Sequence, residues 1–131
     1  MASAETDLLE RVGALLEAAR FAFVFGSFGT PAFHDQSDLD IAVDFGRPLE
    51  PGERFAFSSR LAEETGRTVD LVDLRAADPI IAMQVLKTGR PFVVHDPLAL
   101  DVFRMTAPSI YFDWKLSRRP VEEAMWGNAR P

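Results

Sequence analysis

Gly26-Ser27-Phe28-Gly29-Thr30-Pro31-Ala32-Phe33-His34-Asp35-Gln36-Ser37-Asp38-Leu39-Asp40 is the stretch from which the fold is read. An apolar run, Phe21 to Phe25, leads into Gly26-Ser27 and reads as a short central strand. A polar loop follows, and Asp38 and Asp40 open a second strand that continues Ile41-Ala42-Val43. Side chains alternate between the faces of a strand, so residues two apart share one. Asp38 and Asp40 therefore point the same way, and Leu39 and Ile41 point into the body. Two neighbouring carboxylates repel, and a cation or a shared proton relieves the repulsion. Mg²⁺ takes oxygen ligands, commonly one or two carboxylates together with substrate phosphates.

An anion site lies just upstream. Gly26-Ser27 at a strand end offers backbone N–H groups and a hydroxyl, and glycine lets a phosphate come close to the backbone. Phosphate donors beside a carboxylate pair point to a metal-bound nucleoside triphosphate. Asp70, in Thr68-Val69-Asp70-Leu71-Val72, supplies a third carboxylate among β-branched neighbours, where a charge is unfavourable without a partner. Alternation puts Asp70 and Val72 on one face and Val69 and Leu71 on the other. Asp73 has the opposite parity and is left out of the site.

Gly-Ser, ten residues, Asp-Leu-Asp and a later Val-Asp-Leu-Val strand resemble the nucleotidyltransferase superfamily related to DNA polymerase β. The small size resembles its minimal nucleotidyltransferase (MNT) branch, in particular the MNT antitoxins encoded beside HEPN-domain RNase toxins. The likeness covers residues from about 8 to 95 and implies a single-domain α/β nucleotidyltransferase fold. Transferred to this chain, it implies phosphate binding at Gly26 and Ser27 and metal binding at Asp38 and Asp40. Asp70 becomes the third metal ligand or the general base. It further implies two Mg²⁺ ions, ATP as substrate, and AMP transfer to a tyrosine of a cognate HEPN toxin, with a hetero-oligomer as the assembly. The chain departs from the family pattern after Gly-Ser-x. Many members carry a small residue, Arg and Gly there, where this chain has Gly29, Thr30 and Pro31. That removes an arginine, and Pro31 removes an N–H donor. Neutralisation of a toxin by binding alone is the alternative this departure keeps open.

The 131 residues suffice for one compact domain, 47% hydrophobic and 26% charged, as in ordinary globular proteins. With no cysteine, disulfides, thiol catalysis and zinc knuckles are excluded, and two histidines cannot form a His-rich metal site. No apolar run approaches the ~20 residues that span a bilayer. The N-terminus lacks the positive region of a secretory signal, so a cytoplasmic location is expected. A net charge of −6 argues against strong nucleic-acid binding and suits a basic protein partner.

The periodicities predict a helix over 7–20, with Leu8, Leu9, Val12, Leu15, Leu16 and Ala19 on one face. They predict strands at 21–25, 39–45, 68–74 and 90–94. A second helix is predicted over 53–65, burying Phe55, Phe57, Leu61 and Ala62 and ending at Gly66. A third runs from Asp78-Pro79 to Thr88, with Asp as cap and Pro in the first turn. A fourth runs from Asp96-Pro97 to about Lys115, kinked or broken at Pro108. The alternation of strands and helices makes a mixed sheet of four or five strands flanked by helices. The domain is assigned to 1–116 and a tail, available for partner binding, to 117–131. Tyr111, Phe112 and Trp114 are expected to cover the core, and Trp126 is a candidate contact for another subunit. Asp35 and Asp44 are expected to be solvated, His95 and Ser37 to be structural, and His34 and Thr30 to be possible phosphate contacts.

Overall fold

A computed structural model of the chain describes residues 4–126, with side-chain surroundings as far as residue 118. The order is α1 (Ala4–Ala14), β1 (Phe21–Phe25), β2 (Leu39–Asp44), α2 (Pro51–Thr65), β3 (Val69–Asp73), α3 (Pro79–Thr88), β4 (Arg90–Val94) and α4 (Pro97–Trp126). The four strands form one sheet in the order β3-β2-β1-β4. β1 pairs antiparallel with both β2 and β4, and β2 pairs parallel with β3 through the α2 crossover. The sheet is therefore mixed, as the alternation predicted.

β1 is buried at every position because both of its faces are covered. On one face Ala22 and Val24 join Leu39, Ile41, Val43, Val69, Leu71 and Val93 beneath α1 and α2, whose Leu8, Val12 and Leu61 complete the layer. On the other, Phe21, Phe23 and Phe25 join Ala42, Val85 and Leu100 beneath α3 and α4. Phe103 of α4 packs its ring on both Phe21 and Phe23, with centroids 5.5 and 5.7 Å away. Burying each of these large side chains contributes roughly 1.5–3 kcal/mol.

Helix ends follow their local chemistry. Asp78 accepts a hydrogen bond from the Ile81 N–H at 2.9 Å, and Asp96 accepts one from Ala99 at 3.0 Å. Gly66 takes a left-handed conformation, φ 67°, and stops α2. Arg47 donates two bonds to Glu53 in the first turn of α2, and with the Glu50 N–H holds that carboxyl at about 2.

Several boundaries and burials differ from expectation. α1 ends at Ala14, because the Leu15 and Leu16 amides bond three residues back, to Val12 and Gly13, in a tightened turn. Leu16 and Ala19 stay buried regardless. Phe55 is 74% exposed, as only the Leu61 side of α2 meets the sheet; Phe57 packs on Phe45 at 4.9 Å. Pro108 does not break α4, which continues past the predicted end near Lys115, into the stretch assigned to a tail, as far as Trp126. Pro108 and Pro120 each remove one backbone hydrogen bond, a loss tolerated within a long helix anchored at its first turns. Phe112 is 62% exposed, and Tyr111 and Trp114 pack on each other at 6.1 Å rather than on the core. The side chain of Trp126 lies outside the described residues.

Asp44, expected in solvent, is 6% exposed, and so is Asp73. Asp44 accepts from the Gly46 N–H at 2.6 Å and from Arg75 Nε at 3.0 Å. Asp73 accepts from the Leu49 N–H at 2.7 Å and the Arg75 N–H at 3.0 Å. These two carboxylates fasten the loops at one end of the sheet and are structural. Asp73→Ala leaves the Leu49 and Arg75 amides without their acceptor, so urea denaturation should show a loss of about 1–3 kcal/mol.

Candidate active site

The other end of the same sheet gathers the residues that the sequence singled out. Strand register does most of the work. Phe25 lies opposite Asp40, and Asp40 lies beside Asp70, in one row across β1, β2 and β3. Side chains of such a row share a face, here the α3–α4 side. The burial pattern of β3 follows, with Val69 and Leu71 turned into the α1–α2 layer and Asp70 exposed. Asp38 enters on the approach to β2, exposed and two residues before Asp40.

Electrostatics report the proximity. The Asp40 carboxyl titrates above its usual range, chiefly because it is partly buried, then because Asp70 and Asp38 lie near it. Its carboxylate also lies over the α-carbon of Gly26. A Cβ there would collide with Asp40 Oδ2, and Gly26 has φ 72°, a conformation that glycine adopts without strain. Glycine is thus required both by the turn and by the acid beside it.

From Gly26 the chain turns sharply. The Thr30 N–H and hydroxyl both donate to the Ser27 carbonyl, at 3.0 and 2.6 Å. Thr30 is accordingly a turn-former. The Ser27 hydroxyl makes no hydrogen bond among the described residues, and Ser27 is half-buried. The rest of the loop is packed down by aromatic contacts. Phe28 is buried against Phe33, ring centroids 5.1 Å apart, and the Arg67 guanidinium lies 4.5 Å over Phe33. Arg67 also donates to the His34 and Ser37 carbonyls, at 2.8 and 3.0 Å. His34 Nδ1 accepts from the Gln36 N–H at 3.1 Å, and Ser37 Oγ accepts from the His34 N–H at 2.9 Å. Both residues serve the loop. His95 is bonded to the Ala19 carbonyl at 2.9 Å and is structural as well.

Among the described residues, no three His, Cys, Asp or Glu side chains stand close enough to hold a metal ion by themselves. The donor set still suits Mg²⁺, which needs only one or two carboxylates when phosphate oxygens complete its shell. Burial first, and then repulsion from Asp70 and Asp38, raises Asp40, and a divalent cation would neutralise that charge excess. Local sequence signals gave Gly26, Ser27, Asp38, Asp40 and Asp70. They did not give Arg67, which acts across the fold on residues some thirty positions away.

Residues 10–97 match the family model described as Polymerase beta, Nucleotidyltransferase. The chain belongs to this nucleotidyltransferase family. Protein adenylyltransferase MntA of Shewanella oneidensis is 37% identical to it over 68 residues, 52% of this chain and 49% of MntA. The chain thus spans about half the length of that curated relative. A solved toxin–antitoxin structure with AMP-PNP superposes with a TM-score of 0.78 at 24% identity, covering 94% of this chain and 98% of the other. A second, the Shewanella oneidensis tri-AMPylated HEPN toxin in complex with MNT antitoxin, gives 0.74 at 24% identity, covering 92% and 94%. These structures establish the shared fold. Among the described residues, no helix of this nucleotidyltransferase is long and apolar enough to cross a membrane.

The raised pKa of Asp40 makes a signed prediction for stability. A carboxyl whose folded pKa is raised favours the fold fully below its unfolded value, here 3.8, and loses that advantage as pH rises through the folded value. In chelator-treated protein, Asp40→Asn should therefore raise Tm by a few degrees at pH 7. The gain should fade as pH falls toward 3.8, in melts followed by circular dichroism.

Proposed function

We propose that this chain is a metal-dependent protein adenylyltransferase that acts as an antitoxin, moving AMP from ATP onto a tyrosine hydroxyl of a HEPN-domain RNase toxin. The observation that carries the proposal is the row that sets Asp40 beside Asp70 next to the Gly26-Ser27 turn. Support for the substrate and partner comes from MntA, named a protein adenylyltransferase, and from the two similar complexes, one with AMP-PNP and one with an AMPylated toxin. A cytoplasmic site of action accompanies this reading.

The roles follow from position. The exposed backbone turn at Gly26 and the free hydroxyl of Ser27 bind the phosphate chain. Asp38, Asp40 and Asp70 would hold Mg²⁺ together with the phosphate oxygens of the substrate. When bound, the metal supplies charge neutralisation on the phosphates and acidifies the attacking hydroxyl. Asp70, exposed at the mouth of the row, accepts the proton of the acceptor hydroxyl. The acceptor oxygen forms a bond to the α-phosphorus as the bond to the bridging oxygen breaks, leaving AMP on the protein and pyrophosphate free. The sheet holds the carboxylates in place before substrate arrives, so little reorganisation is required during reaction.

A second reading, neutralisation by binding alone, is favoured by one feature. The loop from Gly29 to Asp35 contains no arginine to grip a triphosphate. The two readings separate on the Asp38→Asn and Asp40→Asn double variant incubated with labelled ATP, Mg²⁺ and the toxin. Transfer should fall at least about 100-fold, as is usual when metal binding is disrupted. Unchanged labelling of the toxin would remove the transferase reading. Lost labelling with full protection of cells would favour binding alone as the biological role.

The partner surface assigned here is the outer face of α4. Leu98, Val102, Met105, Phe112 and Leu116 recur at helical spacing and are all exposed. They lie opposite Leu100 and Ala107, which turn into the fold. Met105→Glu combined with Phe112→Glu should abolish co-purification with the toxin and leave the melting temperature within a few degrees. Retained co-purification would move the interface elsewhere.

A further inference from the structure

We infer that Arg90 is a phosphate-contacting residue of this active site, supplying from β4 the cation that the Gly-Ser loop lacks. The inference rests on the nucleotide-binding role proposed above. Arg90 opens β4 and lies opposite Val24 on β1, two residues before Gly26. Neighbouring strands are ~4.8 Å apart and a strand advances ~7 Å in two residues, so the Arg90 side chain can span to the turn. Its guanidinium is found there, 5.6 Å from the ring centroid of Phe28, the residue that follows Ser27.

Charge makes the position significant. Asp38, Asp40 and Asp70 put three negative charges at this end of the sheet, and a nucleoside triphosphate brings several more. Arg67 stands on the other flank of the loop, but its Nη1 is engaged by the His34 and Ser37 carbonyls and its guanidinium lies over Phe33, which ties it to the loop. Arg90 is exposed, and among the described residues it has neither a carboxylate partner nor a hydrogen-bond acceptor. Its guanidinium lies over the Phe28 ring while its N–H groups remain available to bind phosphate in a forked manner.

The faces of the sheet agree with this role. Directly opposed residues of an antiparallel pair share a face, so Arg90 rises on the α1–α2 side with Val24 and Phe28. Asp40 rises on the α3–α4 side with Phe25. A phosphate chain lying across Gly26-Ser27 would thus meet carboxylates on one side and the guanidinium on the other. The cation stabilises the phosphates without forming an ion pair with the carboxylates that hold the metal. Gly89, which precedes Arg90, is packed against Phe23, Phe25 and the Val85 carbonyl, where a Cβ would clash. The root of the Arg90 side chain is fixed by that packing.

Titration calorimetry with ATP and with AMP, each with Mg²⁺, tests the inference on wild type, Arg90→Ala, Arg90→Lys and the control Arg60→Ala on α2. Arg90→Ala should weaken ATP at least about 10-fold, the loss typical of a hydrogen bond to a charged group, and leave AMP within about twofold. Arg90→Lys should recover part of the ATP affinity, and Arg60→Ala should match wild type. ATP binding by Arg90→Ala within about twofold of wild type would overturn the inference. So would an equal loss of ATP and AMP, which would mark Arg90 as a prop for the loop. Wild type that binds neither nucleotide would overturn the nucleotidyltransferase reading itself, a result distinct from the other two.

Discussion

Asp40 and Asp70 are pushed together by the backbone although their charges repel. The parallel pairing of β2 and β3 places them side by side, and the antiparallel pairing of β1 and β2 brings Gly26 against Asp40. Nothing local favours that meeting. It is sustained by the apolar layers on both faces of the sheet, whose burial fixes the register of all three strands. A one-residue slip of β2 would send Asp40 into the α1–α2 layer and Leu39 to the site. The hydrophobic core is thus what positions the charges, and the Asp40 carboxyl is raised first by its partial burial and then by the neighbouring Asp70 and Asp38.

The two ends of the sheet use acidic residues in contrasting ways. At one end Asp44 and Asp73 are buried, each bonded to a backbone amide and to Arg75, and serve as fasteners. At the other Asp38 and Asp70 are exposed, and Asp40 is only partly covered. A buried carboxylate already bonded to protein donors is less available to a cation than an exposed one. The exposed set retains that capacity. The loop between β1 and β2 is held by the edge-on packing of Phe28 against Phe33 and by the clamp of Arg67, so the Gly26-Ser27 turn has a fixed shape without regular secondary structure.

Much of this was legible in the chain itself. The uninterrupted apolar run of 21–25 announced a central strand, and the Asp-Pro pairs announced the starts of α3 and α4. The parity of 69–73 separated Asp70 from its neighbours Val69 and Leu71. Misreadings arose where a residue's fate depends on distant partners. Asp44 looks like a solvent-facing strand end, but Arg75 and Gly46 close over it. Phe55 looks like a core residue, but α2 meets the sheet through its Leu61 side. Tyr111 and Phe112 look like a cap for the core, but α4 extends beyond the sheet that would need one.

By itself the sequence determined the alternation of strands and helices, the glycine-serine turn, and the identity of the three acids, because periodicity and turn chemistry act over a few residues. Only the tertiary structure decided which acids share a row, which are consumed as fasteners, and that arginines from 67 and 90 flank the loop. Those outcomes depend on strand order and register, which are set by burying two apolar faces at once. That is a property of the whole chain, and no short segment contains it.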